Sequence, residues 1–369
     1  MAKMGLYLGG GGARGAYQAG ALKAISELLK TKYLPFNVIS GVSVGSINAS
    51  VLTQHADDFP LAVDMLETLW QEIRCQDIFN ASSYELGKSV ARNLGLVLVK
   101  QQQSGFLLDT APLHQFIDTH IDFKKIALNI QNNHVETMEV ISTCYETQQT
   151  ISFYEHSKPT FEDWHYPKHR SKRVALAREH ILSSSALPLF FPSIKIDHLH
   201  YGDGSVGLVS PLRGVLRCNV DKILILGTRQ APFFPDEQHL KNDTIGFANI
   251  LGNMMNGVFL DNLDRDIEMV NRMNDIAQLI SMWKKHRSPW RPIQTLHLRP
   301  SEDVAQIAQS NYQTMPTLLR YLLNMLGAQK HSGDLLSFLL FEQSFTRELI
   351  DLGYQDTIAA ADKILRFFG

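Results

Sequence analysis

Two glycine-rich stretches constrain this chain more than anything else in it. Each follows a short apolar run and precedes a helical pattern. The first is "MGLYLGGGGARGAYQAGALKAISELL", residues 4–29, and the second is "FNVISGVSVGSINASVL", residues 36–52. An apolar run that stops at glycines reads as a buried strand entering a tight turn. After the first turn, Ala16, Ala19, Leu22, Ile25 and Leu29 recur at helical spacing. Strand, glycine loop and helix, twice in succession, is the α/β pattern of a parallel sheet with right-handed crossovers.

The rest of the chain extends that pattern. Residues 60–130 read as mostly helical. "HVETMEVISTCYETQQTISFYE" alternates like two strands, with a hairpin turn at "QQT". "VALAREHILSSSALP" reads as a helix ended by Pro188, "SIKIDHLHYGDGS" as a strand pair closing on Asp203-Gly204, and "KILILGT" as a buried strand. From about residue 244 onward the reading is nearly all helical.

Hydrophobic residues make up 44% and charged residues 20%, which excludes a disordered chain. With 35 basic against 37 acidic residues, nothing pulls the chain toward nucleic acid. Cys75, Cys144 and Cys218 show no C-x-x-C spacing, which fits a reducing compartment and argues against a structural zinc site. The glycine-rich start does not read as a signal peptide, and no apolar run reaches the roughly 18 residues of a membrane span. The expected location is cytoplasmic, with peripheral contact at a membrane.

The first loop contains Gly10-x-Gly12-x-x-Gly15, the spacing of a dinucleotide-binding turn. That reading requires an acid at the end of the next strand, where this chain has Ser40 and Gly41. A phosphate loop fails as well, since no Gly-Lys-Ser/Thr follows. Two readings remain for the loop alone. It is a packing turn, or its free N–H groups at a helix start form an oxyanion hole, with Arg14 adding positive charge at the rim. The second loop, Gly41-Val42-Ser43-Val44-Gly45, has the order of a nucleophile elbow: strand, strained turn, helix. Its flanking glycines would relieve collisions with the neighbouring strand and helix.

"GGGGARG", "GVSVG" and "DGS", in this order, resemble the three signatures of the patatin-like phospholipases, most closely the bacterial patatin-like acyl hydrolases. "HILSSSALPLFFPSIKIDHLHYGDGS" and "LLSFLLFEQSFTRELIDLGYQD" are similar to further stretches of that family. The resemblance implies an α/β, three-layer fold with a mainly parallel central sheet. Residues 5–212 would be the catalytic domain, and 213–369 the last core strand plus a C-terminal helical extension. It implies a metal-independent serine esterase without cofactor, acting on the carboxylic esters of phospholipids or lysophospholipids through an acyl-enzyme. Ser43 would be the nucleophile and Asp203 its proton acceptor. Gly10, Gly11, Gly12 and Arg14 would form the oxyanion side, with Gly15, Gly41, Gly45, Gly204 and Ser205 as elbow and motif positions. Ser205 stands where the family usually has Gly or Ala, and its hydroxyl could bond Asp203 and lower its basicity. A broader ester or thioester hydrolase, an acyltransferase, or a non-catalytic lipid-binding member are the alternatives.

Read from the residues alone, the base stays open. Asp203 is a weak base at its ordinary pKa and needs burial to become stronger, while His198 and His200 lie close enough in sequence to serve a conventional triad. No metal motif is present: there is no H-E-x-x-H, and "DNLDRDIE" lacks the spacing of a calcium loop. In "FANILGNMMNGVFLDNL", Met254 and Met255 are core packing or the lining of an acyl channel. "WHYPKHRSKR" (164–173) and "WKKHRSPWR" (283–291) mix rings with cations, and are either solvated loops or contacts to an anionic lipid surface.

Overall fold

The computed structural model describes residues 2–80, 106–231, 247–259, 261–279, 291–325 and 333–369. Among the described residues, ten strands form one sheet: β1 (Met4–Leu8), β2 (Val38–Val42), β3 (Thr137–Cys144), β4 (Gln149–His156), β5 (His165–Tyr166), β6 (His169–Arg173), β7 (Ile194–Ile196), β8 (Leu199–Asp203), β9 (Lys222–Leu226) and β10 (Gln294–Leu298). The order across the sheet is β10-β9-β1-β2-β3-β4-β6-β5, with β8 and then β7 joined to β3. From β10 through β3 every pairing is parallel, as the two strand–loop–helix units require. The turn of the β3–β4 hairpin falls at residues 145–148 and overlaps the expected "QQT" (148–150) only at Gln148, which takes φ 53 in place of a glycine.

The described helices are α1 (Ala16–Leu29), α2 (Val44–Gln54), α3 (Phe59–Glu72), α4 (Cys75–Ile78), α5 (Ala111–His120), α6 (Phe123–Gln131), α7 (Arg178–Ser184), α8 (Arg213–Arg217), α9 (Phe247–Phe259), α10 (Asp261–Leu279), α11 (Val304–Ser310), α12 (Thr317–Met325), α13 (Gly333–Leu339), α14 (Gln343–Ala359) and α15 (Ala361–Phe368). Strand alternation divides the core between the two faces of the sheet. Leu6 and Leu8 of β1 enter the larger core, with α1, α2 and α3, whereas Tyr7 enters the smaller one with Val215 of α8 and Val270 of α10. Helices on both faces of a mainly parallel sheet make the three layers.

The C-terminal part differs from the expectation. β9 is not the last core strand, because Gln294–Leu298 adds β10 alongside it in parallel. "QTLHL" carries only two apolar side chains between polar ones, too short a signal to stand out in a region that otherwise reads as helical. The last helices lie against the core. α14 buries Phe345, Leu349 and Ile350 along α1, and Phe341 stacks on Trp70 of α3 with ring centroids 6.4 Å apart.

A buried amide network fastens α1, α2 and α3 to the loop after β1. Asn48 Nδ2 donates to Gly15 O (3.1 Å) and to Gln18 Oε1 (2.8 Å), while Asn48 Oδ1 accepts from Trp70 Nε1 (2.9 Å). Gln18 Nε2 donates in turn to the carbonyls of Gly9 (2.9 Å) and Leu226 (3.1 Å). Asn48 and Gln18 are both 0% exposed, so a lost partner is not replaced by water. Asn48→Ala leaves Trp70 Nε1 and the Gln18 amide oxygen unpaired and should cost about 2–4 kcal/mol, summed over the lost bonds and the cavity. Thermal denaturation should show a Tm several degrees below wild type, and an unchanged Tm would mean that the network contributes nothing to stability.

Candidate active site

Strand register brings the two marked stretches together. β2 runs beside β3 as far as Val42 opposite Ile141. On the same side of β3, β8 takes over at the next position, with Asp203 opposite Ser142. The residue after Val42 is Ser43. β2 and β8 therefore meet end to end, and Ser43 and Asp203 reach one point from opposite directions.

Ser43 has φ 54 and ψ −129, a backbone conformation that L side chains rarely adopt. It is held there from both sides. Its N–H donates to Ser184 Oγ (2.9 Å), which itself donates to Ile141 O (2.6 Å), and the Ser43 carbonyl accepts from Ser46 N (2.9 Å) as α2 begins. Gly41 and Gly45 make the turn possible. A Cβ on Gly41 would collide with the Gly45 backbone, and one on Gly45 with the carbonyl of Leu8.

Asp203 ends β8 and caps the short 3₁₀ turn that follows. Its Oδ1 accepts from Ser205 N (2.9 Å), and its own N–H donates to Ala186 O (3.0 Å). It is fully buried, and the loss of water pushes its carboxyl up to about 6, against pulls downward from the Ser43 hydroxyl and from the N–H and hydroxyl of Ser205. Those hydroxyls lie within electrostatic reach without closing the geometry of a hydrogen bond. Asp203 Oδ2 and Ser205 Oγ are both buried and have no hydrogen-bond partner among the described residues. Buried polar atoms are normally paired, so this pair is free to engage something that arrives at Ser43. Gly204 lies directly under Ile141 O and Val42, with no room for a side chain.

The first glycine loop passes over the same point. A Cβ on Gly10 would stand 2.9 Å from Ser205 Oγ and 3.1 Å from Ser43 Cβ. Gly11 and Gly12 take φ 147 and 56. Thr228 Oγ1 donates to Gly10 O, and the N–H groups of Gly9 and Arg14 are committed to Leu226 and Gly11. The candidate donors toward Ser43 are thus the N–H groups of Gly10, Gly11 and Gly12. Gly15 packs against Val44 and Trp70.

Arg14 departs from its expected place at the rim. Its side chain is 1% exposed and turns into the C-terminal helices. Nε donates to Ser337 Oγ (2.8 Å), Nη1 to Asn256 Oδ1 (3.2 Å) and Nη2 to Asp334 Oδ1 (3.2 Å), while the guanidinium lies 4.2 Å from the centroid of the Phe338 ring. Burial pulls its pKa down to about 10, against the opposing charge of Asp334. Only the tight 3₁₀ turn Gly12–Gly15 decides which way this side chain leaves the loop, and that direction is not written in the motif.

The two histidines do not join the site. His198 is exposed in the β7–β8 turn, and His200 Nδ1 lies 2.7 Å from Glu146 Oε1 on the surface. In the first ring-and-cation stretch, which forms β5 and β6, Trp164 is buried, Lys172 pairs with Asp197 (3.2 Å), and Arg173 donates to the carbonyls of His156, Lys158, Pro159 and Phe161. Of the second stretch, Arg291 pairs with Asp221 and residues 283–290 lie outside the described residues. Met255 is buried in the core and Met254 is exposed.

An apolar cleft opens from Ser43 and Gly12, between Val44 and Ile47 of α2, Leu69 and Trp70 of α3, Phe116 of α5, and Phe338 and Phe341. It is a slit, with a cavity volume of only about 30 Å³. Ser185, whose Oγ is buried without a partner among the described residues, also lines it. Ser184, Asn48, Gln18 and Thr228 are the positioning groups that sequence reasoning missed. "SSSALP" hinted at the first, but three serines in a row do not say which one faces the elbow. Among the described residues no group of three or more His, Cys, Asp or Glu is placed to hold a metal ion, and no helix is long and apolar enough to cross a membrane.

Comparison with known proteins finds a family match over residues 6–216, to the family described as Patatin-like phospholipase. The lysophospholipase nte1 of Aspergillus terreus is 41% identical over 58 residues, 16% of this chain and 4% of that protein. The lysophospholipase NTE1 of Chaetomium globosum is 28% identical over 112 residues, 29% of this chain and 7% of that protein. The chain thus corresponds to a small part of either relative. Among solved structures, VipD from Legionella pneumophila aligns with a TM-score of 0.36 and 12% identity, over 98% of this chain and 67% of VipD.

The raised carboxyl of Asp203 gives a stability prediction independent of any reaction. The folded state holds the Asp203 proton more tightly than the unfolded chain, whose carboxyl has its ordinary value of 3.8. The stabilisation is complete below 3.8 and is lost as pH rises through about 6. Above that, the buried charge costs up to about 3 kcal/mol. Asp203→Asn should therefore raise Tm at pH 8 by several degrees and change it little near pH 4. An equal effect at both pH values would mean that the carboxyl titrates normally.

Proposed function

The chain belongs to the patatin-like phospholipase family, and on that premise we propose that it is a lipid acyl hydrolase that cleaves carboxylic esters of phospholipids or lysophospholipids. The observation that carries this reading is the buried, half-paired carboxylate of Asp203, which meets the strained Ser43 at the mouth of an apolar cleft. The acyl chain lies in the cleft and the ester carbonyl sits over Ser43. As Ser43 Oγ bonds to the carbonyl carbon, its proton passes to Asp203 Oδ2, and the carbonyl oxygen becomes an alkoxide facing the N–H groups of Gly10, Gly11 and Gly12. Collapse breaks the ester bond and the leaving alcohol takes the proton from Asp203. Water then attacks the acyl-enzyme with the same base, releasing the fatty acid and restoring Ser43.

A carboxyl raised to about 6 is still ionised at neutral pH, yet binds a proton more firmly than an exposed aspartate. The value of kcat/KM should accordingly rise through about pH 6 and level off above it. Ser205→Ala removes a hydroxyl that favours the charged form, so it should move this limb to higher pH. A limb that stays in place in that variant would separate Ser205 from the base.

Ser43→Ala and Asp203→Asn should each lower kcat by ~10³-fold or more, with the double variant little worse, because one attack step needs both groups. Retention of a tenth of wild-type kcat by Asp203→Asn would defeat the dyad. Since the oxyanion donors are backbone groups, activity on a monomeric short-chain ester should survive dialysis against a chelator. A requirement for added calcium in that assay would contradict this mechanism.

Contact with a lipid surface finds support in exposed apolar side chains in the turns that directly follow the site residues. Val206 and Val209 follow Asp203, and Leu189, held at φ 70, follows the cleft residue Leu187. Replacing Leu189 and Val209 by Ser should weaken sedimentation with phospholipid vesicles and leave hydrolysis of a soluble ester unchanged. Undiminished vesicle binding would move the contact elsewhere.

A further inference from the structure

Part of the apolar cleft is walled by two helices that also border a second space. On α5, Leu113 and Phe116 face the cleft, while Pro112, Gln115 and Thr119 line a separate groove on the outer side. The end of α3 divides in the same way, with Trp70 toward the cleft and Glu72 toward the groove. Leu69, Ile73 and Phe116 belong to both spaces. They are 5%, 3% and 9% exposed, so the partition between cleft and groove is a single layer of side chains. The two spaces differ in kind. The cleft is a cavity of about 30 Å³ lined almost wholly by apolar side chains, whereas the groove is a wider one of about 340 Å³ lined largely by polar ones. Phe116 is the largest of the three, and it is held in place by its own helix. The His120 ring lies 4.4 Å from its own, centroid to centroid, and His120 Nδ1 is 2.8 Å from Phe116 O.

We propose that Leu69, Ile73 and Phe116 are the end wall of the acyl site and set the longest acyl chain it accepts, with Phe116 as the determinant. This rests on the reading of the cleft as the acyl site. Two physical points make the wall a ruler. A chain whose end reaches the wall gains burial for each methylene up to that point, and a longer one must displace a packed aromatic ring. The groove behind is lined by Glu72, Gln76, Asp77 and Gln115, so it does not reward an apolar tail that forces its way through. Removing the Phe116 ring joins a tight apolar slit to open space. Enlarging it shortens the slit.

The test uses the full chain, with p-nitrophenyl esters of four to sixteen carbons, and in parallel calorimetric binding of the corresponding fatty acids to the Ser43→Ala protein. Phe116→Ala should shift the optimum of kcat/KM, and of fatty-acid affinity, to longer chains. Each methylene newly buried should be worth about fourfold, from about 0.8 kcal/mol per methylene. Phe116→Trp should shift both optima to shorter chains. Should Phe116→Ala not fold, as judged by circular dichroism, Phe116→Leu and Phe116→Trp carry the same comparison with smaller steps. Unchanged optima in folded variants overturn the wall. If the binding optima shift while wild-type protein hydrolyses none of the esters, or hydrolyses them as well after Ser43→Ala, the wall stands and the proposed reaction falls.

Discussion

Everything at the candidate site depends on one tight crossing, where the ends of β1 and β2 and the start of α2 come into backbone contact at Gly41 and Gly45. Without side chains at those two positions, Ser43 can be left in a conformation that costs of order 1–3 kcal/mol and would relax if its surroundings allowed. The surroundings do not allow it. Ser184 holds the Ser43 N–H, α2 holds its carbonyl, and Asn48 on α2 is anchored through Gln18 and Trp70 to two neighbouring helices. The strain is local and the groups that offset it are spread over α1, α2, α3 and α7. The strained turn is therefore held only within most of the central fold.

Asp203 shows the same economy. A buried carboxylate is destabilising unless it is well paired, and among the described residues this one has a single firm bond, from Ser205 N. The sheet register places it there. β8 continues the path of β2 along β3, and the chain must then leave the sheet through the turn Gly204–Gly207. On the proposed mechanism, the Oδ2 left unpaired among the described residues is the cost of leaving a proton acceptor within reach of Ser43. A second hydrogen bond from a fixed donor would steady the fold and weaken the base.

Much of this was legible in the chain itself. The two strand–loop–helix units, the elbow serine and the Asp-Gly turn are patterns that backbone sterics dictate over a few consecutive residues. What was not legible depends on where distant segments meet. The amide network of Asn48, Gln18 and Trp70 has no spacing of its own, because three different helices supply it. β10 was hidden, since an edge strand with polar neighbours needs few apolar residues. In the ring-and-cation stretch at 164–173 the sequence could not say which side chains stay outside: Trp164 is buried and Arg173 is surrounded by carbonyls, while Tyr166 and Lys168 are exposed.

Arg14 shows why the C-terminal part is not an appendage. A fully buried guanidinium left without partners would cost the fold several kcal/mol, and its partners Asn256, Asp334 and Ser337 all lie more than two hundred residues away in α9 and α13. The same segment supplies Phe338 and Phe341 to the cleft, and the carbonyl of Phe338 packs directly on Gly12. The loop that would receive the oxyanion is thus shaped from two sides. Gln18 ties it to β9 through Gly9 and Leu226, and Arg14 ties it to α9 and α13. Because Gly11 and Gly12 have no side chains to stiffen them, these outside ties set the direction of their N–H groups. Any displacement of α13 must move Phe338 and release Arg14 together, and so it reaches the shape of the cleft and the aim of the glycine loop at once.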